Sequence, residues 1–366
     1  MATNKVLPYK PTHPGEILKD ELEVRGIKQK DFAKEIGLSV TVLNELIKGK
    51  RSVTADTAVL LEAALGIDAK FWMDFQTQYD LDEAAIQQKN IERIKDIELW
   101  KIIKENVPVK YFEKLGLLTV SLHQNIQKIW EIYGCSEVDG LLNYVAVRKA
   151  YFKKSEKLQS NAINIEGWCR LVRFKARRIK VQNQFDISSK EKLIAELKIA
   201  YLDSKDIVLR TQYILNKYGI KFIVLSKPEQ APIDGYSFLD NNIPVIALTL
   251  RKAMIDSFIF AVFHEIYHVY NHLYSESIDK EYLNIEDEIS IKESEANLFA
   301  KDVLISKEEW LKFKCENACI NYAVFDKKLI EFAAKVKVHP SVVLGRYCFE
   351  TSQYKIRTKI LRKIDV

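Results

Sequence analysis

The chain has 366 residues, 48% hydrophobic and 29% charged, with a formal net charge of +6. This composition predicts a globular protein of two or three domains. The apolar runs are shorter than the about 20 residues that span a bilayer, and MATNKVLPYK lacks the apolar core of a signal peptide. Five scattered cysteines without a CxxC pair predict neither a disulfide framework nor a cysteine zinc site. We therefore expect a cytoplasmic protein with no membrane partner.

The sequence pattern of residues 13–80 predicts five short helices with turns between them. The first helical stripe stops at Gly26, and the second segment, Gln29 to Ile36, ends at Gly37. The third, Ser39 to Lys48, begins with a capping serine and is followed by Gly49. Two helices joined by a tight, glycine-containing turn are the requirement for a helix-turn-helix.

The segment from about residue 13 to 81 resembles a known family in four motifs, in order: HPGE, GKR, TADTA and the closing FW…Q..YDL. It is similar to the all-α, lambda-repressor-like Xre family in its HigA-type antitoxin version. The resemblance implies an autoregulatory, homodimeric repressor that binds double-stranded operator DNA through the helix Ser39 to Lys48. By position, the residues facing the major groove would be Ser39, Thr41, Val42 and Asn44. Phosphates would be met by Gln29, Lys48, Lys50 and Arg51.

The charge of this segment departs from that of most DNA-binding domains. Residues 1–80 carry 11 basic and 12 acidic side chains, whereas affinity for DNA comes largely from neutralised phosphates. Two alternatives follow. Either DNA binding requires dimerisation and help from the basic middle segment of the chain, or the domain binds protein instead.

Residues 82–205 predict a helical, basic middle region. Between Arg148 and Lys180 stand eleven basic residues against Glu156 and Glu166, which indicates either a surface for a polyanion or acidic partner, or simply solvated helix faces. Trp168 lies among these charges. It could stack on a base, but a tryptophan that anchors its helix is the favoured interpretation.

From residue 206 the pattern predicts a small sheet followed by an apolar helix. Ile220 to Leu225 and Ile243 to Leu250 are strand candidates, and Tyr236 to Leu239 is a candidate edge strand. The fold class is therefore mainly α with a small β-sheet (α+β). The predicted domains are 1–81 (helix-turn-helix), 82–205 (helical middle) and 206–366.

The helix from Phe258 to His272 contains the HExxH pattern. His264 and His268 stand four residues apart on one face and can bind one cation, with Glu265 beside them. A catalytic zinc needs a third protein ligand. Glu293 and Glu295 lie about 200° apart on a later helix, so only one can point at the metal. Asn297, one turn after Glu293, suits a hydrogen bond to a ligand histidine, which favours Glu293.

The C-terminal part resembles a second family. Four segments carry this resemblance: GYSFLDNNIPVIALTLR, DSFIFAVFHEIYHVYNH, KESEANLFAKDVLI and HPSVVLGRYCFE. It is similar to the zincin-like ImmA/IrrE metallopeptidases. The resemblance implies His264, His268 and Glu293 as ligands of Zn²⁺, with Mn²⁺ as the alternative, and Glu265 as the general base. Tyr236 is a candidate donor to the developing oxyanion, against the alternative that it packs within the sheet. His272 is expected about 6 Å further along the helix, too far to share the ion.

Two functions remain open. One is a DNA-binding regulator whose zinc-dependent endopeptidase cleaves a regulatory protein, such as an Xre-type repressor or a toxin. The other is a non-catalytic antitoxin and autorepressor whose metal-site domain only binds a protein partner.

Overall fold

The computed structural model describes residues 10–151, 161–274, 281–285, 291–316 and 324–364. The chain divides into two units, Met1–Lys101 and Ile102–Val366. Helices dominate and one four-stranded sheet accompanies them, so the prediction of a mainly α chain with a small sheet is confirmed. The predicted boundary at residue 205 falls inside the second unit, which also contains most of the predicted middle region.

The first unit begins with five helices around one apolar core. Its fully buried side chains include Leu18, Phe32, Leu43, Leu61 and Trp72. The fifth helix is longer than predicted, because the polar run after Tyr79 continues the helical turn. The helices are α1 (Pro14–Val24), α2 (Gln29–Glu35), α3 (Val40–Ile47), α4 (Ala55–Leu65) and α5 (Ala69–Ile86), and α6 (Gln88–Asn106) contains the boundary between the units.

The HPG sequence at the start of α1 has a structural cause. Nδ1 of the buried His13 accepts a hydrogen bond of 2.9 Å from the backbone N–H of Gly15 and so caps the helix. A Cβ atom on Gly15 would lie 1.9 Å from the carbonyl oxygen of Leu46. Glycine is therefore required where α1 packs against the end of α3.

The second unit surrounds its sheet with helices on both faces. None of the helices in the described ranges has the length and apolar character needed to cross a membrane. After α6, the helices before the sheet are α7 (Val109–Lys114), α8 (Leu122–Tyr133), α9 (Val138–Tyr151), α10 (Ala162–Ala176), α11 (Lys190–Ala200) and α12 (Ile207–Lys217). Those after the first three strands are α13 (Ile255–Tyr267), α14 (Ile291–Leu304), α15 (Lys307–Glu316), α16 (Phe325–Val336) and α17 (Pro340–Thr351).

The sheet has the strand order β1-β3-β2-β4. Strands β1 and β3 are parallel, whereas β2 is antiparallel to both β3 and β4. Asn241 and Asn242 both have positive φ, 50° and 63°, as a two-residue hairpin turn requires. The strands are β1 (Lys221–Val224), β2 (Ile233–Asp240), β3 (Ile243–Leu248) and β4 (Glu281–Ile285).

Two strand predictions were wrong. The segment Tyr236 to Leu239 lies in β2, which is an inner strand between β3 and β4 rather than an edge strand. Strand β4 was not predicted, because its sequence EYLNI lies in a polar stretch without an apolar alternation. It is held by pairing with β2 from Phe238 to Ile233.

Some basic residues of the predicted patch are internal and ion-paired. For the exposed ones, both interpretations of the patch stay predictions; they are Lys149, Lys175, Arg177, Arg178 and Lys180. Arg148 is 7% exposed and pairs with Glu166 at 2.7 Å and with Glu281 at 3.2 Å. Arg173 pairs with Glu281 at 2.5 Å. Lys153, Lys154 and Lys157 lie outside the described residues.

Trp168 is fully buried, and its Nε1 donates a hydrogen bond of 3.2 Å to the carbonyl oxygen of Leu225. The interpretation of Trp168 as a helix anchor is therefore correct, since a fully buried indole has no face to offer a base.

Candidate functional site

Two histidines and one glutamate converge at the end of α13. Nε2 of His264 and Nε2 of His268 are 3.1 Å apart. The carboxylate of Glu293, on α14, approaches them with its two oxygens at 3.0 and 3.2 Å. Within the described residues, these three side chains form the group whose ligand atoms all lie within 4.8 Å of one another. The structure brings Glu293, and not Glu295, to the two histidines.

The electrostatics of the cluster favour a charged glutamate beside two buried rings. Burial raises the pKa of Glu293, but its hydrogen bonds to His264 and His268 outweigh this and lower the pKa to about 2. Burial lowers the pKa of His268. It also acts to lower the pKa of His264, but the hydrogen bond to Glu293 prevails and the pKa is raised. The carboxylate therefore stays ionised at neutral pH.

The donor set fits a bound metal ion. Oδ1 of Asn297 lies 3.0 Å from Nδ1 of His264, and because an amide oxygen only accepts, Nδ1 carries the proton. Nε2 of His264, which faces the Glu293 carboxylate and Nε2 of His268, is then the ring nitrogen that would bind a cation. Tetrahedral zinc with bonds of about 2.0–2.1 Å places neighbouring ligand atoms about 3.3 Å apart. The observed separations of 3.0 to 3.2 Å are close to that value.

Glu265 lies beside the cluster with one oxygen held and the other without a partner. Oγ of Ser237 donates a hydrogen bond of 2.5 Å to Oε2. Oε1 is buried and no hydrogen bond of normal geometry reaches it, although the nearby side chain of Asn284 also acts to lower the pKa of the carboxyl group. Burial raises the pKa of Glu265 to about 7, although His264 and Ser237 act to lower it. A carboxyl group with a pKa near neutrality and one unpartnered oxygen can accept and return a proton.

Gly235 makes room for this carboxylate. A Cβ atom at position 235 would lie 2.1 Å from Oε1 of Glu265. The sequence interpretation missed both Gly235 and Ser237. The alternation of β2 places them on the same face of the sheet, which is the signal that could have found them.

A cavity of about 500 Å³ opens beside the cluster. Glu293 and Asn297 line one wall, and Asn284 of β4 lines another. Its apolar part includes Phe260 and Phe349. The cavity is large enough to accept a side chain of a bound polypeptide.

Tyr236 is not part of the cluster, and its prediction as an oxyanion donor is corrected. Neighbouring residues of a strand face opposite sides of the sheet, and Ser237 faces Glu265. The Tyr236 hydroxyl instead donates a hydrogen bond of 2.6 Å to Glu281 and accepts one of 3.0 Å from Arg173. The alternative that Tyr236 packs within the sheet is the one that the structure supports.

Seven of the eight residues predicted to contact DNA lie in or next to α3, and the eighth, Gln29, begins α2. Ser39 caps α3 by accepting a hydrogen bond of 3.1 Å from the N–H of Val42. Two of the eight also have contacts within the chain. Val42 is only partly exposed and packs against the core, and Arg51 is ion-paired with Glu45 at 3.2 Å. Asn44 is also partly exposed, and the exposed members are Gln29, Ser39, Thr41, Lys48, Lys50 and Arg51.

Known proteins resemble the N-terminal part of the chain. A family model described as "Helix-turn-helix" matches residues 18–72. Virulence-associated protein I of Dichelobacter nodosus is 40% identical over 83 residues, which are 22% of this chain and 77% of that protein. The chain belongs to the helix-turn-helix family. Antitoxin HigA-1 of Vibrio cholerae is also 40% identical to this chain, over 73 residues. These are 20% of this chain and 69% of the antitoxin.

A solved structure, described as Pseudomonas aeruginosa antitoxin HigA with the higBA promoter, is 34% identical. The match covers 23% of this chain and 91% of the chain in that structure, with a TM-score of 0.22. Each of these three likenesses covers less than a quarter of the helix-turn-helix chain. Inference about the second unit therefore depends on the geometry of its own residues.

Proposed function

We propose that the chain is a HigA-like, DNA-binding regulator whose second unit is a zinc-dependent endopeptidase of the zincin-like ImmA/IrrE type. The convergence of His264, His268 and Glu293 beside a glutamate with one unpartnered oxygen supports this most strongly. A metal site kept only for stability would not require a partnerless buried carboxylate oxygen, since such a group costs free energy.

The roles of the side chains in peptide hydrolysis follow from their positions. His264, His268 and Glu293 would hold Zn²⁺, which when bound supplies Lewis acidity to polarise a carbonyl group and acidify water. Ser237 fixes Oε2 of Glu265, so Oε1 is the atom that takes a proton from the attacking water and passes it to the leaving amine.

A polypeptide is the substrate class that the surroundings favour. Strand β4 is the last strand in the order β1-β3-β2-β4, and its Asn284 lines the cavity next to Glu293. An extended peptide that adds along such a strand would carry its side chains to the cavity. We propose a regulatory protein as the substrate, either an Xre-type repressor or a toxin.

The first unit would bind operator DNA. Its family and its likeness to an antitoxin support this, and Thr41 and Asn44 lie on the surface of α3 where a major groove would pass. We propose that it binds as a homodimer, because the unit carries little positive charge and two copies double the number of phosphate contacts.

The metal is tested first. Protein loaded with Zn²⁺ and then dialysed should retain about one equivalent, and His264→Leu should retain much less. Less than about a tenth of an equivalent in the unaltered protein would contradict the metal site.

Proteolysis is tested next by comparing cells that produce the unaltered protein with cells that produce Glu265→Gln. New protein N-termini should appear only with the unaltered protein, and Glu265→Gln should retain the same substrate in a pull-down. Zinc binding without any new N-termini would instead favour the non-catalytic antitoxin, in which the second unit serves as a protein-binding module.

DNA binding is tested by a salt titration with the chain's own promoter and with random DNA of equal length. Preference for the promoter should persist as salt rises, while the overall affinity falls. Equal affinity for the two DNAs at every salt concentration would contradict an operator-binding role.

A further inference from the structure

A line of side chains extends behind His268, away from the metal cluster. Nδ1 of His268 lies 2.9 Å from Nδ1 of His272. Nε2 of His272 in turn lies 3.3 Å from Oε2 of Glu295. The order is therefore Glu295, His272, His268 and then the cluster.

The helix changes type at this contact. Residues His268–His272 form a π-helical segment directly after α13. In a regular α-helix, His272 would stand about 6 Å further along the axis. The two ring centroids lie 5.0 Å apart and the two Nδ1 atoms are within hydrogen-bond distance, which is as close as His264 and His268 come one turn earlier. Such single π turns are frequent at functional sites.

The positions of the protons on these rings follow from their partners. A carboxylate only accepts, so Nε2 of His272 carries the proton that faces Glu295. A neutral imidazole has one N–H, which leaves Nδ1 of His272 as an acceptor. Nδ1 of His268 must then donate, because two facing ring nitrogens share one proton. With a cation bound, the remaining nitrogen of His268, Nε2, which lies 3.2 Å from Glu293, is thus free of a proton and can act as the ligand atom.

We propose that His272 and Glu295 are a positioning pair that sets the tautomer of His268 and thereby the affinity of the site for a divalent cation. This inference rests on the proposed metal site. The same task at His264 is performed by a single residue, since Oδ1 of Asn297 accepts directly from Nδ1. The two ligand histidines are thus oriented by two different devices, an amide and a histidine–carboxylate pair.

The surroundings hold the two rings rigidly. His268 is fully buried and His272 is 7% exposed. The ring of Tyr282, from β4, stacks on His268 at 4.8 Å with an interplanar angle of 17° and lies 5.2 Å from His272. Water is excluded from the line between the rings, so the hydrogen bond between them is stronger than it would be at a surface.

Zinc affinity separates this role from simple packing. His272→Asn places an amide oxygen near the position of Nδ1, as Asn297 does at His264, whereas His272→Leu keeps the volume and removes the acceptor. We expect His272→Leu to bind Zn²⁺ about 10–100-fold more weakly, measured by competition with a chelator. His272→Asn should recover most of the loss. Equal affinity of the unaltered protein and His272→Leu would overturn the proposal.

The tautomer itself is read from the ¹⁵N shifts of the six histidines by nuclear magnetic resonance, in metal-free and in zinc-loaded protein. In both forms, we expect His272 to be protonated at Nε2 and bare at Nδ1. The opposite tautomer of His272 would overturn the proposal even if His272→Leu failed to fold. Absence of zinc binding by the unaltered protein would refute the proposed function, whereas the tautomer of His272 would still decide the role of the pair.

Discussion

Gly235 lies so close to Glu265 that a Cβ atom at position 235 would stand 2.1 Å from Oε1 of the glutamate. Three features of the contact between β2 and α13 together fix the carboxylate of Glu265. The strand backbone approaches the helix, Ser237 fixes one carboxylate oxygen, and the space left by the missing side chain of Gly235 receives the other. The position of the proposed general base is therefore set by a residue without a side chain.

We predict that Gly235→Ala destabilises the protein by about 1–3 kcal/mol, as overpacking of a buried site does. The same change in a Glu265→Ala background should cost much less, because the atoms that clash are absent. Denaturant unfolding of the two single variants and the double variant measures the coupling. Additive effects would show that Gly235 is required for some other reason.

The capping of α1 leads to a second prediction. His13→Ala removes the acceptor for the N–H of Gly15 and should lower stability by about 1 kcal/mol. His13→Asn keeps an acceptor in the same place and should recover most of the loss, since asparagine is a preferred N-cap residue. Hydrogen exchange of α1 amides, measured in the full chain, reports the effect. Equal protection in the two variants would argue that His13 acts through its contact with Tyr79 instead.

Acid stability depends on Glu281. Burial raises the pKa of Glu281, but Arg148, the hydroxyl of Tyr236 and Arg173 lower it to about 2 from the usual 4.5. A lowered folded-state pKa means that the stabilisation is present above pH 4.5 and is lost as the pH falls towards 2. Glu281→Gln should destabilise the protein at neutral pH and flatten the loss between pH 4.5 and 2.

Unfolding midpoints measured across that pH range test this expectation. Glu131→Gln is a suitable control, because Glu131 also pairs with a cation, Lys128, but at the surface. Exposed pairs contribute little to stability, so this variant should follow the unaltered protein. If Glu281→Gln also followed the unaltered protein, Arg148 and Arg173 would not need the charge of Glu281 for stability.

The sequence predicted those parts of the site that depend on helical periodicity. Four-residue spacing places His264 above His268, and the position of Asn297 one turn after Glu293 favours Glu293 over Glu295. Glycine turns and the serine cap of α3 were read in the same way. Each of these features depends on residues close to one another in the chain.

The parts that the sequence did not predict depend on contacts between distant segments. Strand alternation separates Tyr236 from Gly235 and Ser237, but it does not say which face meets α13. Strand β4 lacks an apolar alternation and is defined by pairing with β2. The π turn after α13 and the contact between His272 and His268 were not predicted either, and Tyr282 of the distant strand β4 packs on both rings.

The ion pair between Arg51 and Glu45 leads to the last prediction. The two side chains are 54% and 39% exposed and lie 3.2 Å apart at the end of the proposed recognition helix. Such a pair contributes little to stability, but Glu45 would compete with a phosphate for Arg51. Glu45→Gln should release Arg51 and tighten binding to all DNA sequences alike, and the slope of log affinity against log salt should steepen by about 1.

Glu23→Gln is the matched control. It removes the same charge from α1, where Glu23 pairs with Lys19, and should leave the slope unchanged. An equal effect of both variants would mean that only the net charge of the unit matters, and that Arg51 makes no phosphate contact.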